Sequence, residues 1–328
     1  DGRVLVVGGS GTNADGSSGP RSSVELYVPA TDSWIATGDM LVARLSHTAT
    51  LLSDGRGLVA GGYGHEGWQA SAELWDPRTG TWATAAAMST ARGDHSATML
   101  PSGLVLVAGG SNDEEVPVTA AESYDPVRDV WSPAGAMAVG RSAPTTTLLS
   151  DGRVLVIGGG EGDGADGLAS AERFDPVAGR WEAIADMGVA RWLHAAARLG
   201  DGTVLVMGGT AGGGGDVLAS AERYDPSSDS WMTTGVLSRG CFGATATTLS
   251  DGRVLLTGGF HDLFEIDARA CAELYDPDRG IWTGIERTLK SRRGHTATLL
   301  LDGRVLILGG FGTGSQGPAD VFDPRLGG

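Results

Sequence analysis

The sequence Asp1-Gly-Arg-Val-Leu-Val-Val-Gly-Gly9 opens the chain, and six close variants of it follow. These are Asp54–Gly62, Pro101–Gly110, Asp151–Gly159, Asp201–Gly209, Asp251–Gly259 and Asp302–Gly310. Neighbouring copies lie about 50 residues apart, which is typical of architectures in which each repeat packs on the next. Because the repeat runs through all 328 residues, we expect residues 1–328 to form a single domain.

Each unit is predicted to contain four short antiparallel strands. In the unit that begins near His194, the turn Gly200-Asp201-Gly202 separates two apolar runs. Asp-Gly between apolar runs is a strong hairpin signal, because glycine adopts positive φ at no steric cost. A glycine-rich loop follows, then an alternating strand that ends at Asp225-Pro226, and finally a strand centred on Trp231. Four strands connected in this way are typical of one blade of a β-propeller.

Aromatic residues recur at two fixed places in the unit. The third strand carries Tyr27, Trp75, Tyr124, Phe174, Tyr224, Tyr275 and Phe322. The fourth strand carries Trp34, Trp82, Trp131, Trp181, Trp231 and Trp282. Large rings that repeat once per unit fill the space between twisted neighbouring sheets, so we interpret these tryptophans as packing residues.

A glycine pair after an apolar strand, an aromatic residue with Asp-Pro and then a tryptophan together resemble the kelch motif. The glycine pair occurs seven times and the tryptophan six times, so the resemblance covers essentially the whole chain. It implies an all-β fold, a kelch-type β-propeller with seven blades of four antiparallel strands. Since the pattern supplies seven second and third strands but six first and fourth strands, we expect incomplete blades at both ends.

The net charge of −16 restricts the partners of the protein. Nucleic acids and anionic membranes both require a basic surface, so we predict binding to neither. No run of about 18 apolar residues occurs, and the sequence therefore predicts no membrane insertion. We expect a monomeric propeller, which could be secreted or cytoplasmic.

One side of the predicted propeller carries variable loops, whereas the Ser-Asp-Gly and Asp-Pro turns of the other side are nearly identical. Rigid folds commonly place their sites on variable loops, so we expect the ligand on the loop side. An arginine precedes each first strand there: Arg44, Arg92, Arg141, Arg191, Arg239 and Arg292. Guanidinium groups suit carboxylates or phosphates, and arginines placed similarly in kelch adaptors help to bind acidic peptides. Alternatively, each arginine pairs with the acid that opens a third strand, namely Glu25, Glu73, Glu122, Glu172, Glu222, Glu273 or Asp320.

Further candidates lie where the repeat is broken. The loop after the second glycine pair carries Tyr63, His65, Glu66 and Trp68. A tryptophan beside polar groups can stack on a sugar ring or anchor a peptide, although such rings can also cap their own loops. Beside the arginines we therefore predict these ligand-binding residues: His65, Trp68, Trp192, Phe242, His261 and Arg293.

Metal binding and redox chemistry have little support in the sequence. The best metal candidate is the loop with His261, Asp262, Glu265 and Asp267, because one histidine and three acids suit a divalent ion. Galactose oxidase is a kelch propeller whose copper site uses tyrosines, histidines and a cysteine crosslink. Here Cys241 and Cys271 fall in different strand positions and should lie about 9–10 Å apart. We predict no cofactor, and the sequence does not identify catalytic residues.

The leading functional hypothesis is a non-catalytic binding module. Its variable loop side would recognise a peptide, a protein or a glycan through arginine, histidine and tryptophan residues. The alternative is an enzyme that acts on a small polar molecule in the channel mouth, in the manner of a sugar isomerase or mutarotase. A third possibility is a propeller that spaces the domains of a larger protein.

Overall fold

The computed structural model describes residues 2–12, 18–114, 116–162, 166–212, 216–262, 270–285, 291–312 and 319–326. The strands of the first half are, in chain order, β1 (Val4–Val7), β2 (Ser10–Thr12), β3 (Ser18–Pro20), β4 (Val24–Val28), β5 (Ser33–Ala36), β6 (Thr48–Leu51), β7 (Gly57–Ala60), β8 (Tyr63–Gly64), β9 (Gly67–Trp68), β10 (Ala72–Asp76), β11 (Thr81–Ala85), β12 (Gly93–Met99), β13 (Val105–Ser111), β14 (Ala120–Asp125) and β15 (Val130–Ala136).

The second half continues the same pattern. Its strands are β16 (Thr145–Leu148), β17 (Val154–Ile157), β18 (Ala171–Asp175), β19 (Arg180–Ala183), β20 (Ala195–Arg198), β21 (Val204–Met207), β22 (Ala221–Asp225), β23 (Ser230–Thr233), β24 (Phe242–Thr248), β25 (Val254–Phe260), β26 (Cys271–Asp276), β27 (Ile281–Gly284), β28 (Arg293–Leu299), β29 (Val305–Phe311) and β30 (Asp320–Phe322). A short 3-10 helix, Pro324–Leu326, follows. In the described part of the chain, no helix has the length and apolarity that a membrane crossing requires.

These strands form seven consecutive blades. The first blade is the sheet β1-β4-β5, five four-stranded sheets follow in chain order, and the seventh blade is the sheet β28-β29-β30. Neighbouring strands are antiparallel throughout, for example β20 with β21 and β21 with β22. The predicted all-β, seven-bladed propeller is thus confirmed, including the incomplete first and last blades.

The chain divides into two compact units. One comprises Asp1–Pro144, Glu161–Asp163 and Phe174–Glu182, and the other comprises Thr145–Gly160, Gly164–Arg173 and Ala183–Gly328. Blades one to three belong to the first unit, and blades five to seven belong to the second.

The hydrophobic core lies between adjacent blades. All four residues of β21 are buried, because the strand is covered on both faces. Val204 and Val206 pack with Leu155 of blade four, whereas Leu205 and Met207 pack with Leu256 of blade six. Side chains alternate across a strand, so one continuous apolar run supplies both interfaces.

The tryptophan column joins each blade to the one before it. Trp231 packs on Tyr224 with ring centroids 5.0 Å apart, and its indole N–H donates to the Ala185 carbonyl of the preceding blade at 2.8 Å. Trp82, Trp131, Trp181 and Trp282 donate to the preceding blade in the same way. The column therefore supplies both packing and a directional link.

A second link lies at the entry to each first strand, where one residue has a left-handed backbone. These residues are Ser46, Asp94, Ala143, Leu193, Gly243 and Gly294, with φ between 48° and 68°. The N–H of Asp94 donates to the Ser46 carbonyl at 3.0 Å, and that of Gly243 donates to the Leu193 carbonyl at 2.8 Å. The backbone thus connects successive blades on the loop side.

Candidate functional site

The arginines that precede the first strands are buried inside the blades. Arg44, Arg92, Arg141 and Arg191 have no exposed surface, and Arg292 is 4% exposed. The acids at the start of the third strands pair with four of them: Arg44–Glu73 at 2.8 Å, Arg92–Glu122 at 3.2 Å, Arg191–Glu222 at 3.0 Å and Arg292–Asp320 at 2.7 Å. The structure therefore corrects the expectation that these arginines face a ligand, because a buried guanidinium has no surface to offer.

Each of these arginines clamps three chain segments together. Nη1 of Arg44 donates to the carbonyls of Gly61 at 2.8 Å and Ser71 at 2.9 Å, while Nη2 reaches Glu73. Glu73 in turn accepts the N–H of Leu41, in the loop that arrives from blade one, at 2.6 Å. Burial lowers the pKa of Arg44, and the charge of Glu73 opposes that shift. We call this arrangement the arginine clamp.

Histidines three residues after the clamp arginines are also part of the scaffold. Nε2 of His95 lies 2.9 Å from Thr48 Oγ1 of the preceding blade, and Nε2 of His295 lies 2.9 Å from Thr245 Oγ1. Burial lowers the pKa of His95 to about 3 and that of His47 and His295 to about 4. They are therefore neutral at neutral pH and poorly suited to proton transfer there.

Blade six departs from the clamp, and Arg239 does not occupy the clamp position. The carbonyl of each clamp residue accepts the N–H of the second glycine of a pair, as Arg92 does from Gly62 at 2.8 Å. Gly209 donates instead to Cys241, at 2.7 Å, and Arg239 is exposed two residues earlier. Each clamp arginine follows its strand-four tryptophan by ten residues, and Cys241 follows Trp231 by the same ten. That spacing was the sequence signal that could have identified the position.

Cys241 and Cys271 form a disulfide, which corrects the expectation that they lie apart. Their Cα atoms are 6.2 Å apart. The expected distance assumes that the two residues lie on different strands of one blade, two strand spacings apart, but Cys241 lies in the segment before β24. This segment crosses the end of β25, where Gly258 and Gly259 have positive φ and no side chains. Cys241 Sγ thus comes to 3.8 Å from the Gly258 carbonyl, beside Cys271.

Three other predicted residues have different surroundings. Phe242 is 3% exposed and packs on Phe260 with ring centroids 6.0 Å apart, so it belongs to the core rather than to a ligand surface. Trp192 is half-buried and forms a two-way backbone bridge with Thr210, at 2.8 and 2.9 Å. Arg293 is exposed and lies opposite the half-exposed Phe311 in the β28–β29 pair.

The predicted metal loop is described in part. His261 Nδ1 donates to the Gly240 carbonyl at 2.7 Å and lies 3.7 Å from Cys271 Sγ. Asp262 is half-buried, whereas Glu265 and Asp267 lie outside the described residues. Among the residues that are described, no group of three or more His, Cys, Asp or Glu side chains is arranged to hold a metal ion.

The best-built surface on the loop side lies at the corner of blade two. Strands β8 and β9 form a small hairpin in which Tyr63 is opposite Trp68, with ring centroids 5.3 Å apart and planes at 81°. His65 and Glu66 form the exposed turn of the hairpin. Tyr63 itself is 42% exposed. The sequence predicted His65 and Trp68 as ligand-binding residues, and the structure places them together in one hairpin.

Blade three holds this hairpin in place. The Trp68 ring lies directly on Gly93, where a Cβ atom would come within 2.1 Å of Cζ3. The backbone N–H of Trp68 donates to Asp113 Oδ1 at 3.3 Å. Asp94, next to Gly93, is exposed, as is Asp113. We call Tyr63, Trp68, Glu66, Asp94 and Asp113 the blade-two corner; sequence reasoning missed both aspartates because no fixed spacing links them to the hairpin.

The turn side of the same blade has a shallow cavity with a different character. It measures about 210 Å³ and is lined by Asp54, Arg56, Asp76, Pro77 and Arg78. Arg56 and Arg78 bond the aspartates of their own turns at 2.8 and 2.7 Å. Hydrogen bonds from Arg78 lower the pKa of Asp76 to about 2. The charged side chains of this cavity are therefore already paired with each other within their own turns.

Comparisons with known proteins agree with this architecture. The kelch motif matches residues 141–188 and 191–234. No curated protein sequence matches the chain. One similar solved structure is a fungal alcohol oxidase of the AA5 family in complex with copper, with a TM-score of 0.76 and 19% identity. The match covers 96% of this chain and 69% of the oxidase, and at this identity it shows a shared fold. The chain thus carries the kelch motif in two of its repeats and folds as a β-propeller of seven consecutive blades.

Proposed function

We propose that this propeller is a non-catalytic binding module whose blade-two corner recognises a basic segment of a peptide or protein. The observation that carries the proposal is the edge-to-face Tyr63–Trp68 pair, which is braced by Gly93 and bordered by carboxylates. Kelch propellers commonly serve as interaction domains, and the loop-side location agrees with that role.

The chemistry of the corner favours a cationic ligand. The faces of tyrosine and tryptophan attract lysine or arginine side chains. Glu66 in the turn of the hairpin and Asp113, which accepts the backbone N–H of Trp68, supply exposed negative charge beside them. The net charge of −16 would also accelerate the approach of a basic partner. A half-buried aromatic anchor within a polar border is the usual form of a binding hot spot.

A glycan is the competing ligand, because sugars also stack on aromatic rings and donate hydroxyl hydrogens to carboxylates. Neutral glycans gain nothing from the surrounding charge, so a basic peptide suits the corner better. The two ligands differ in salt dependence, since screening weakens charge attraction but hardly affects stacking.

The enzymatic alternative has weaker support. It requires arginines and histidines at the mouth, but the clamp arginines and the histidines three residues after them are buried in clamps and in blade-to-blade hydrogen bonds. The residues present also do not fit the copper of the similar oxidase. In the described ranges no three-donor cluster occurs, both cysteines are bonded to each other, and Tyr124 and Tyr224 are completely buried against tryptophans. We therefore assign no reaction.

The test is a peptide array with varied lysine and arginine content, followed by titration calorimetry of the best binder. We expect Trp68→Ala to weaken binding by at least about tenfold, as is usual for an aromatic hot spot, and Asp113→Asn to reduce its salt dependence. Trp192→Ala is the matched control, because it removes a half-buried loop-side tryptophan from another blade. Equal loss with the control, or binding confined to a glycan array, would contradict the proposal.

A further inference from the structure

In blade six, two cysteines occupy positions that belong to the arginine clamp elsewhere. Cys241 Sγ lies 3.8 Å from the carbonyl of Gly258, seventeen residues later, and Arg44 Nη1 likewise bonds the carbonyl seventeen residues later, that of Gly61. Cys271 directly precedes Ala-Glu in β26, just as Ser71 precedes Ala-Glu at the start of β10. In blade two, the arginine bonds that serine at 3.1 Å. The disulfide therefore joins the same two points of the blade.

The carboxylate of the clamp remains in blade six, but its cation does not. Glu273 is 4% exposed and accepts the N–H of Ser238 at 3.1 Å and the hydroxyl of Ser238 at 2.9 Å. In the residues that the structure describes, no guanidinium or ammonium group forms an ion pair with Glu273. The segment from Ser238 to Phe242 is thus attached to β26 by the disulfide and by hydrogen bonds from Ser238 to Glu273.

We propose that the Cys241–Cys271 disulfide is a redox-sensitive replacement for the arginine clamp, so that the loop side of blade six is fixed in the oxidised protein and loosened in the reduced one. Reduction by a dithiol breaks the S–S bond. Two electrons and two protons pass to the sulfurs, which become two thiols, and the dithiol becomes a disulfide. The covalent link between the segment and β26 is then lost, and in the described part of the chain no ion pair with Glu273 replaces it.

The change would reach the loop-side surface through His261. Its Nδ1 bonds the Gly240 carbonyl, one residue before Cys241, and lies 3.7 Å from Cys271 Sγ. A segment that moves away from β26 therefore moves the acceptor of His261. The other clamps contain no sulfur, so reduction would act on blade six alone. Oxidising compartments would keep this clamp closed.

The decisive experiment exchanges one kind of clamp for the other. Hydrogen exchange of the full chain is compared for the wild type, for wild type equilibrated with dithiothreitol, for C241S/C271S, and for C241R/C271S. The last variant supplies the arginine and the serine that the other clamps use, opposite the existing Glu273. The amides to follow are those of Cys241 and Gly243, which donate to the carbonyls of Leu218 and Leu193, respectively.

We expect these amides to exchange at least about tenfold faster in the reduced protein and in C241S/C271S. The midpoint of thermal unfolding should fall by about 3–8 °C, as for the loss of a disulfide in a chain of this size. In C241R/C271S, protection should return and should no longer respond to dithiothreitol. The exchange rate of the Gly110 amide, which donates to the Arg141 carbonyl in the first unit, should be unchanged in every sample.

Three outcomes would overturn the proposal. The first is unchanged exchange in C241S/C271S, which would mean that the disulfide holds nothing in place. The second is an arginine variant no better protected than the serine variant, which would mean that the positions are not equivalent. The third is the failure of both C241S/C271S and C241R/C271S to fold. If only C241S/C271S fails to fold, the folding of C241R/C271S supports the proposal.

Discussion

Nη2 of Arg92 lies 3.2 Å from Oε1 of Glu122, thirty residues later in the chain, and the two side chains are 0% and 5% exposed. The same arginine donates to the Gly109 and Ala120 carbonyls, and Glu122 accepts the N–H of Ser89 at 2.8 Å. One buried ion pair thus joins the second and third strands of a blade to the loop that arrives from its neighbour. The recurring arginines, which the sequence suggested as a ring of ligand-binding residues, are therefore structural residues in every complete clamp.

Removal of one partner of this pair should be severely destabilising. Arg92→Ala leaves the Glu122 carboxylate buried without its cation, so we expect the free energy of unfolding to fall by about 3–5 kcal/mol. The double variant R92M/E122M, which removes both charges, should lose less. Urea unfolding followed by tryptophan fluorescence measures both. Arg78→Ala, which breaks an exposed pair with Asp76, is the control and should leave the urea midpoint almost unchanged, because exposed ion pairs contribute little to stability.

Acid should destabilise the protein before its carboxylates titrate. The folded-state pKa values of His47, His95 and His295 are about 4, 3 and 4, below the unfolded value of 6.5. Below pH 6.5 the unfolded state therefore binds more protons than the folded state, and stability falls as the pH falls. The stability that these histidines contribute is complete above pH 6.5 and is lost progressively towards pH 4.

The measurement is the urea midpoint between pH 7 and 5. Each of these histidines should contribute a slope that approaches about 1.4 kcal/mol per pH unit below pH 6.5. His95→Gln keeps a hydrogen-bonding group near Thr48 but does not titrate, so its profile should be flatter than that of the wild type. A profile as steep as that of the wild type would show that His95 is not the source.

Gly93→Ala should disturb the blade-two corner without disturbing the blade. A Cβ atom there would lie 2.1 Å from Trp68 Cζ3, so the indole must move. The φ of Gly93 is not positive, so alanine fits the backbone of β12. We expect altered Trp68 fluorescence and about tenfold weaker binding of a basic peptide. Gly284→Ala, at a strand glycine with no atom within 4 Å of a built Cβ, is the matched control.

The tryptophan column should contribute through its indole N–H as well as through packing. In the wild type, the indole N–H of Trp131 donates to the Ala86 carbonyl at 2.8 Å. Trp131→Phe keeps a ring beside Tyr124 but removes this donor. We expect a loss of about 1 kcal/mol in the free energy of unfolding. Trp34→Phe is the comparison, because that ring is 38% exposed in the first blade, and it should cost clearly less. Equal losses would assign the effect to ring size alone.

The sequence predicted the fold well because each strand carries its own local signal. The glycine pair recurs in every blade and the Asp-Gly turns and Asp-Pro corners recur in six of seven, and their count indicates seven blades. The short aromatic hairpin was also visible, because Tyr63 and Trp68 interrupt the repeat. Local patterns of this kind depend on steric rules that act over a few residues.

The candidate site was harder to predict, because it depends on orientation and on contacts between blades. Arg92 and Glu122 were both noted, but no pattern states whether a guanidinium points towards solvent or towards an acid thirty residues away. Arg239 was chosen because it precedes Phe242 by three residues, as Arg292 precedes His295. The backbone instead aligns Cys241 with the clamp and Ala244 with the histidine. Gly93 and Asp113 contact Trp68 from another blade, beyond the range of any local signal.

The left-handed residue at the entry to each first strand is a position at which each blade can change its side chain independently. This backbone costs a non-glycine residue about 1 kcal/mol, yet Ser46, Asp94, Ala143 and Leu193 all adopt it. The link between blades there uses backbone atoms, so it does not depend on which side chain is present. Mutation can therefore change the chemistry of the loop side blade by blade while strand pairing and the clamps stay intact. A library randomised at these positions would explore new specificities at a small and nearly constant cost in stability.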